Sequence, residues 1–180
     1  SLISYLIQSH ALTEEDLRTF RPSICNRLDR NTSGIVAAGK SMAGLQSLSQ
    51  MFHDRTIGKY YLCLTAGIIE KPSRVEGWLF KDERTNKVEI LFQERPGSAR
   101  IITEYRPIKS HDGVTLLEVH LITGKTHQIR AHLASVGHPL IGDHKYGASQ
   151  INREYEQKYH LQSQLLHAAR PVSYTHLRAH

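Results

Sequence analysis

The sequence predicts an α+β fold, with a largely antiparallel, mixed β-sheet that is flanked by helices. The middle of the chain contains consecutive apolar, β-prone segments separated by short turns, and short connections favour antiparallel pairing. Segments with helical periodicity lie before and after this run of strands, which is the arrangement of an α+β domain. The 180 residues are enough for one domain with a hydrophobic core.

The first third of the chain is predicted to contain helices and one short strand. Residues 1–8 show an amphipathic pattern, and residues 13–20 contain a capping threonine followed by a short helical turn. An apolar strand is predicted over residues 35–38. Ser41 is positioned to cap a helix over residues 42–52. The apolar stripe of that helix consists of Leu45, Leu48, Met51 and Phe52.

The sheet is predicted from five apolar segments, over residues 60–66, 75–80, 88–92, 101–108 and 114–122. The last two segments flank Asp112 and Gly113, a dipeptide that suits the positive φ angles of a tight hairpin turn. A further helix is predicted to start after a Thr126 cap and to end at Gly137.

The bulk composition excludes some classes of protein and favours others. The net charge of +6 is compatible with a polyanionic partner, although many soluble proteins are mildly basic for no functional reason. No apolar run approaches the roughly 20 residues that span a bilayer, so we expect no membrane association. The only two cysteines, Cys25 and Cys63, belong to no recognisable motif, which fits a reducing compartment and predicts a cytoplasmic protein. The chain starts without Met inside an apolar segment, and we expect it to be a fragment.

The segment 26–34 is the first candidate for a functional site. It places one carboxylate, Asp29, between Arg27 and Arg30, and Gly34 follows a run of small polar residues. Neighbouring positive charge favours an ionised carboxylate, which is the form that a nucleophile or general base requires near neutral pH. The alternative interpretation is a charged turn that leads into the following strand.

The segment 123–133 is the second candidate. Arg130 falls in or beside the first turn of the predicted helix, where a cation opposes the helix dipole at a cost of roughly a few tenths of a kcal/mol or more. This position suits an arginine that pairs with a buried anion, and Asp29 is the obvious candidate. The alternative is an exposed arginine on a solvated helix face.

Aromatic and histidine residues complete the set of candidates. Tyr60 and Tyr61 point to opposite faces of a strand, so one of them is available to stack on a base, although adjacent tyrosines are also common for structural reasons. The histidines do not indicate a metal site. His127 and His132 are five residues apart, which puts them out of line on a helix, and no zinc-ligand spacing is present.

Taken together, these motifs resemble those of the RluA-type pseudouridine synthases. The matching stretches are Arg-Leu-Asp-Arg at 27–30, Lys-Tyr-Tyr at 59–61, Gln-Ile-Arg within 124–133, and the Gly-His-Pro-Leu-Ile-Gly-Asp run at 137–143. Each motif is weak alone, but their order and spacing together are specific, and the resemblance extends over residues 2–170. It implies the pseudouridine synthase catalytic fold.

The resemblance implies a role for five residues. Asp29 corresponds to the catalytic aspartate, Arg130 to the basic residue that pairs with it, and Ile129 to an apolar residue in the same pocket. Tyr61 corresponds to the tyrosine that packs against the target base. Arg27 corresponds to an arginine associated with flipping the uridine out of its stack.

The resemblance also implies isomerisation of specific uridines in structured RNA to pseudouridine, with neither a cofactor nor a metal. We expect RNA as the partner, ribosomal RNA in preference to transfer RNA, without DNA or membrane, and a monomeric protein. Two chemical routes stay open: attack of Asp29 on C1′ of the ribose, or abstraction of the 2′ proton to give a glycal. The competing hypotheses are a non-catalytic RNA-binding factor and a metal-dependent hydrolase that uses the histidines.

The domain organisation predicted from the resemblance is a catalytic domain over residues 1–170, followed by a non-family tail over residues 171–180. A late strand of the family matches residues 165–170. The family's first strands precede the part that this sequence covers, as does the S4-like RNA-binding module of many members. We therefore expect the catalytic domain to be incomplete at its N-terminus.

Overall fold

The computed structural model describes residues 1–85 and 87–173 and contains five helices and nine strands within them. In chain order these are α1 (Leu2–Gln8), α2 (Asp16–Thr19), β1 (Ser23–Ile24), β2 (Ser33–Gly34), β3 (Ala38–Gly39), α3 (Met42–His53), β4 (Ile57–Ala66), β5 (Ser73–Asp82), β6 (Lys87–Leu91), β7 (Ala99–His111), β8 (Val114–Leu121), α4 (Gln128–Ser135), α5 (Ser149–Tyr159) and β9 (Leu166–Ser173).

The chain divides into two compact units. The first contains residues 1–28 and 35–57, and the second contains residues 29–34 and 58–172. The predicted helices of the first unit are confirmed, and in α3 the Ser41 side chain accepts a hydrogen bond from the Gly44 amide. The four residues predicted as the apolar stripe of α3 are the partly buried ones of that helix.

The predicted strand over residues 35–38 is wrong for most of its length. Only Ala38 lies in a strand, in the small antiparallel pair of β1 with β3. The Asn26 side chain donates to the Ile35 carbonyl and accepts from the Ala37 amide at 2.7 Å. Because one side chain satisfies the Ile35 carbonyl and the Ala37 amide, these two groups do not pair with the backbone of a neighbouring strand.

The second unit is built on a seven-stranded sheet with the order β2-β9-β4-β8-β7-β5-β6. The ladders β4–β8, β8–β7, β7–β5 and β5–β6 are antiparallel, whereas β2 and β9 pair in parallel. The predicted α+β class with a largely antiparallel, mixed sheet is therefore confirmed. The turn at Asp112 and Gly113 has φ angles of 48° and 76°, as the sequence predicts for a tight hairpin.

The core of the second unit lies where α4 packs on the sheet. Ile101 is fully buried, and Leu79, Val88 and Ala131 pack in the same cluster. This contact fixes the position of α4, and with it the position of the candidate arginine. Helix α5 is not predicted from the sequence, because it is largely polar.

Strand β9 runs three residues beyond Arg170, where the family resemblance ends, so Pro171 is still in the sheet. The rest of the predicted tail, residues 174–180, lies outside the described residues. Within the described part of the chain, no helix is both long enough and apolar enough to cross a bilayer.

Candidate active site

The loop that contains Asp29 is attached to the sheet through strand β2. Ser33 and Gly34 pair with His167 and Ala168 of β9, and the Ser33 Oγ lies 2.8 Å from His167 Nδ1. Gly34 has a φ of 114°, and a Cβ atom at this position would overlap the Ala168 carbonyl group. The glycine at the end of the predicted motif is therefore required by close backbone packing.

A side chain from a neighbouring segment fixes the rest of this loop. Gln164 is buried, and its Nε2 donates to the Arg30 carbonyl at 2.8 Å. The loop closes on itself through a 3.0 Å hydrogen bond from the Thr32 amide to the Asp29 carbonyl, with Asn31 at a positive φ of 68°. The Asp29 side chain, which is 26% exposed, thus projects from a defined turn.

Arg130 lies in the first turn of α4 and is buried, as the sequence motif predicts for an arginine that pairs with an anion. Its Nη1 is 3.6 Å from Asp29 Oδ2, so the predicted pairing of these two residues is confirmed. A second carboxylate, Asp143, is closer: Arg130 Nε and Nη2 donate to its two oxygens at 2.7 and 2.9 Å. Arg130 therefore bridges a fully buried aspartate and a partly exposed one.

The charge states of Arg130 and Asp143 follow from their contacts. Burial alone would lower the pKa of Arg130, but the hydrogen bonds and charge of Asp143, together with the charge of Asp29, raise it above its ordinary value. Burial alone would raise the pKa of Asp143, but the hydrogen bond from Arg130 and the Lys145 amide lowers it below its usual range. Arg130 is therefore a permanent cation next to Asp29.

Asp143 is the site residue that sequence analysis missed, since it makes the shortest contacts with Arg130. Its Oδ1 also accepts hydrogen bonds from the Lys145 and Tyr146 amides, so both oxygens are fully used. Asn152 of α5 accepts from the Gly142 amide and donates to the Asp143 carbonyl. A carboxylate two residues after the apolar pair Leu140 and Ile141 is the signal that could have identified it.

The start of α4 differs from the sequence prediction. Thr126 does not cap the helix; His127 occupies the cap position with a φ of 54° and makes no side-chain cap hydrogen bond. Gln128 fixes the approach instead: its Oε1 accepts from Thr123 Oγ1 and the Lys125 amide, and its Nε2 donates to the Ile102 carbonyl. This buried amide ties the loop before Arg130 to strand β7.

The two tyrosines of β4 point to opposite faces of the sheet, as predicted. Tyr61 is buried, and its pKa is raised by burial and by the negative charge of Asp29. Tyr60 stacks on His120 with a ring separation of 4.4 Å. Ile129, the remaining pocket residue predicted from the resemblance, is 4% exposed.

Arg27 is the one predicted site residue that does not belong to the same unit as Asp29. It is exposed in the first unit, between β1 and the Asp29 loop. Its predicted role in flipping the uridine stays a prediction.

The histidines near the site make hydrogen bonds to protein groups. His127 Nδ1 is 2.9 Å from the hydroxyl of Tyr146, which also accepts from the Val88 amide. His132 Nδ1 is 2.9 Å from Thr103 Oγ1, and burial lowers the pKa of His132 to about 4. Across residues 1–85 and 87–173, His, Cys, Asp and Glu side chains form no group of three or more that could hold a metal ion.

The site thus combines a partly exposed carboxylate, a buried arginine that contacts it, and an adjacent buried tyrosine, on an α+β scaffold. Comparison with family models identifies the class: residues 4–135 match the model described as RNA pseudouridylate synthase, and the chain belongs to this family.

Individual relatives agree with this assignment. The ribosomal large subunit pseudouridine synthase C of Vibrio vulnificus is 33% identical over 168 residues, covering 90% of this chain and 51% of the relative. The ribosomal large subunit pseudouridine synthase D of Zymomonas mobilis is 33% identical over 150 residues, covering 83% of this chain and 47% of the relative. The chain therefore spans about half the length of the curated relatives that it matches.

A solved structure supports the fold. Human RNA Pseudouridylate Synthase Domain Containing 1 superposes with a TM-score of 0.72 and 25% identity, over 86% of this chain and 65% of the human chain.

Proposed function

We propose that this chain isomerises uridines in ribosomal RNA to pseudouridine and that Asp29 is its catalytic carboxylate. The observation that carries the proposal is the 3.6 Å contact between Asp29 and Arg130, in a chain that belongs to the RNA pseudouridylate synthase family. The preference for ribosomal over transfer RNA is supported by the names of the two bacterial relatives, which both act on the large ribosomal subunit.

The proposed chemistry depends on the contrast between the two carboxylates that contact Arg130. Asp143 is fully buried and its oxygens are occupied, so it orients the guanidinium and is not available to a substrate. Asp29 is partly exposed and makes one longer contact, so one carboxylate oxygen is left to react. Arg130 keeps a positive charge beside the Asp29 carboxylate and leaves one oxygen of that carboxylate free to react.

In this proposal Tyr61 and Ile129 form the apolar wall that holds the detached uracil within reach of the ribose. Their burial fits that task, because an apolar enclosure retains a neutral base and excludes water. The base first has to leave its stack, at a cost of roughly a few kcal/mol. We keep Arg27 as the residue that assists this step, and both attack on C1′ and the glycal route remain compatible with the position of Asp29.

The proposal also includes the remaining features predicted from the sequence. The chain acts in the cytoplasm as a monomer, on RNA alone, with no cofactor, metal, DNA or membrane, and residues 1–170 supply the catalytic domain, with residues 171–180 as a non-family tail.

The decisive experiment replaces Asp29 by asparagine and measures tritium release from large-subunit ribosomal RNA that contains 5-tritiated uridine. We expect Asp29→Asn to lower release by about 10³-fold or more, the order seen when a nucleophile is removed. RNA binding and stability are expected to be nearly unchanged, because a single partly exposed ion pair contributes only about 0–1 kcal/mol.

The matched control is Asp112→Asn. Asp112 is exposed in the β7–β8 turn, where asparagine suits the positive φ equally well. Wild-type release by Asp29→Asn would refute the catalytic role. RNA binding by the wild-type protein with no release from any uridine would instead favour the non-catalytic RNA-binding factor.

A further inference from the structure

The contact between Asp29 and Arg130 is too long to fix the Asp29 carboxylate by itself. The 3.6 Å between Asp29 Oδ2 and Arg130 Nη1 exceeds the roughly 2.7–3.2 Å of an N–H···O hydrogen bond. The arginine, by contrast, is held by two shorter hydrogen bonds to Asp143. The position of the Asp29 carboxylate relative to the guanidinium therefore has to come from the loop that carries it.

The side chain of Gln164 holds the middle of that loop. It is buried, and its Nε2 donates to the Arg30 carbonyl at 2.8 Å and lies 3.4 Å from Thr32 Oγ1. The pairing of β2 with β9 holds the loop further on, at residues 33–34. One primary amide thus fixes the chain directly after Asp29, although it lies 134 residues beyond Arg30 in the sequence.

The backbone of residues 163–165 is attached to residues 141–143, the segment that ends at the buried aspartate. The Leu165 amide donates to the Ile141 carbonyl at 2.9 Å. A Cβ atom at Gly142 would overlap the carbonyl group of residue 163, so the two backbones are in direct contact. The side chain that holds the loop and the carboxylate that orients the arginine are therefore placed by the same two packed segments.

We propose that Gln164 is a positioning residue for the reaction, whose amide sets the separation of Asp29 from Arg130 and thereby the rate of the chemical step. Misplacement of a reacting group by about 1 Å can cost about 10²-fold in rate. Loss of the amide releases the chain after Asp29, whereas the pairing of Arg130 with Asp143 stays intact. The effect should therefore fall on kcat. This inference rests on the proposed function, because it takes Asp29 to be the reacting carboxylate.

The first test removes the amide with Gln164→Ala and measures tritium release from ribosomal RNA that contains 5-tritiated uridine. We expect kcat to fall by about 10- to 100-fold while KM stays within about 3-fold of the wild type, because the reacting carboxylate moves and the rest of the site does not. The matched control is Gln162→Ala. Gln162 is an exposed glutamine two residues earlier in the same segment, and its replacement should leave kcat unchanged.

Gln164→Glu tests the hydrogen bond to the Arg30 carbonyl. The introduced carboxyl has nearly the same shape as the amide, but it can donate a hydrogen bond only when it is protonated. Burial raises the pKa of a carboxyl above its ordinary value of about 4.3. The ratio of kcat for this variant to kcat for the wild type should therefore rise as the pH falls from about 8 to about 5. A role in packing alone predicts a ratio that does not change with pH.

Hydrogen exchange at the Thr32 amide gives a measurement that does not depend on activity. This amide donates to the Asp29 carbonyl at 3.0 Å, so its exchange rate, followed by NMR, reports the order of the loop. We expect exchange at Thr32 to be about 10-fold faster or more in Gln164→Ala than in the wild type, and unchanged in Gln162→Ala.

The outcomes keep the two proposals separate. A wild-type kcat in Gln164→Ala, an equal loss in Gln162→Ala, or a kcat ratio for Gln164→Glu that is constant with pH would overturn the positioning role. If Gln164→Ala does not fold, the pH dependence of Gln164→Glu decides; loss of folding in both would make Gln164 a structural residue and overturn the inference. If the wild type releases no tritium, the proposed function fails, and exchange at Thr32 decides whether Gln164 fixes the loop.

Discussion

Replacement of Asp143 by asparagine is expected to destabilise the protein far more than the same replacement of Asp29. Asp143 is fully buried and accepts two hydrogen bonds from Arg130, at 2.7 and 2.9 Å. Asparagine has nearly the same shape but presents an N–H donor where a carboxylate oxygen now accepts. The variant therefore leaves the buried guanidinium facing a donor, with only the 3.6 Å contact to Asp29.

The magnitude follows from burial. Breaking a buried ion pair by removing one partner costs about 3–5 kcal/mol, because the other charge stays in a low-dielectric environment. For a protein of this size, 1 kcal/mol shifts the melting temperature by roughly 2–4 °C, so Asp143→Asn should lower it by roughly 6–20 °C. Asp29→Asn removes one longer, partly exposed contact, and a change of about 1 kcal/mol or less is expected.

Thermal and urea unfolding followed by circular dichroism measure both effects. The double variant Asp29→Asn with Asp143→Asn tests whether Arg130 couples the two sites, since independent sites give additive changes. We expect a coupling of roughly 0.5–3 kcal/mol, because both carboxylates contact the same guanidinium. A melting temperature for Asp143→Asn within the error of the wild type would refute the role of Asp143 as the main partner of Arg130.

Two further predictions concern the elements that hold the site. The pKa of His132 is lowered to about 4, below that of an unfolded histidine near 6.5, so the unfolded chain takes up this proton first as pH falls. Because of His132, the free energy of unfolding of the wild type should fall by roughly 3 kcal/mol as the pH drops from 6.5 to 4. The urea midpoints of the wild type and of His132→Gln should therefore diverge over this range. A difference that stays constant with pH would contradict this. Gly34→Ala should displace the Asp29 loop, because the Cβ of the new alanine would overlap the Ala168 carbonyl. We expect it to lose much more activity than the control Gly44→Ala. In that control the atom nearest to the new Cβ is the Ser41 hydroxyl oxygen, at 3.1 Å.

The parts of the fold that the sequence predicts are those governed by local patterns. The stripe of α3 follows from its apolar spacing, and the β7–β8 hairpin follows from a dipeptide that tolerates positive φ. The pairing of Asp29 with Arg130 was predicted from an unfavourable position of a cation near a helix start. The first two follow from a few neighbouring residues, whereas the choice of Asp29 as the partner of Arg130 also depends on the family resemblance.

The parts that escaped prediction depend on contacts between distant segments. Residues 35–37 have the composition of a strand, but the Asn26 side chain satisfies their backbone groups. Helix α5 is polar, and Asn152 bonds it to the loop that contains Asp143. Asp143 itself follows Arg130 by 13 residues, and only the folded structure shows that it is the closer of the two carboxylates.

The parallel pairing of β2 with β9 links the site to the order in which the chain is synthesised. Ser33 pairs with His167, 134 residues further along, so the Asp29 loop leaves the ribosome long before the strand that orders it. Until β9 has emerged and joined the sheet, the Asp29 carboxylate has no fixed place beside Arg130. The candidate site is therefore one of the last parts of the fold to be completed as the chain is synthesised.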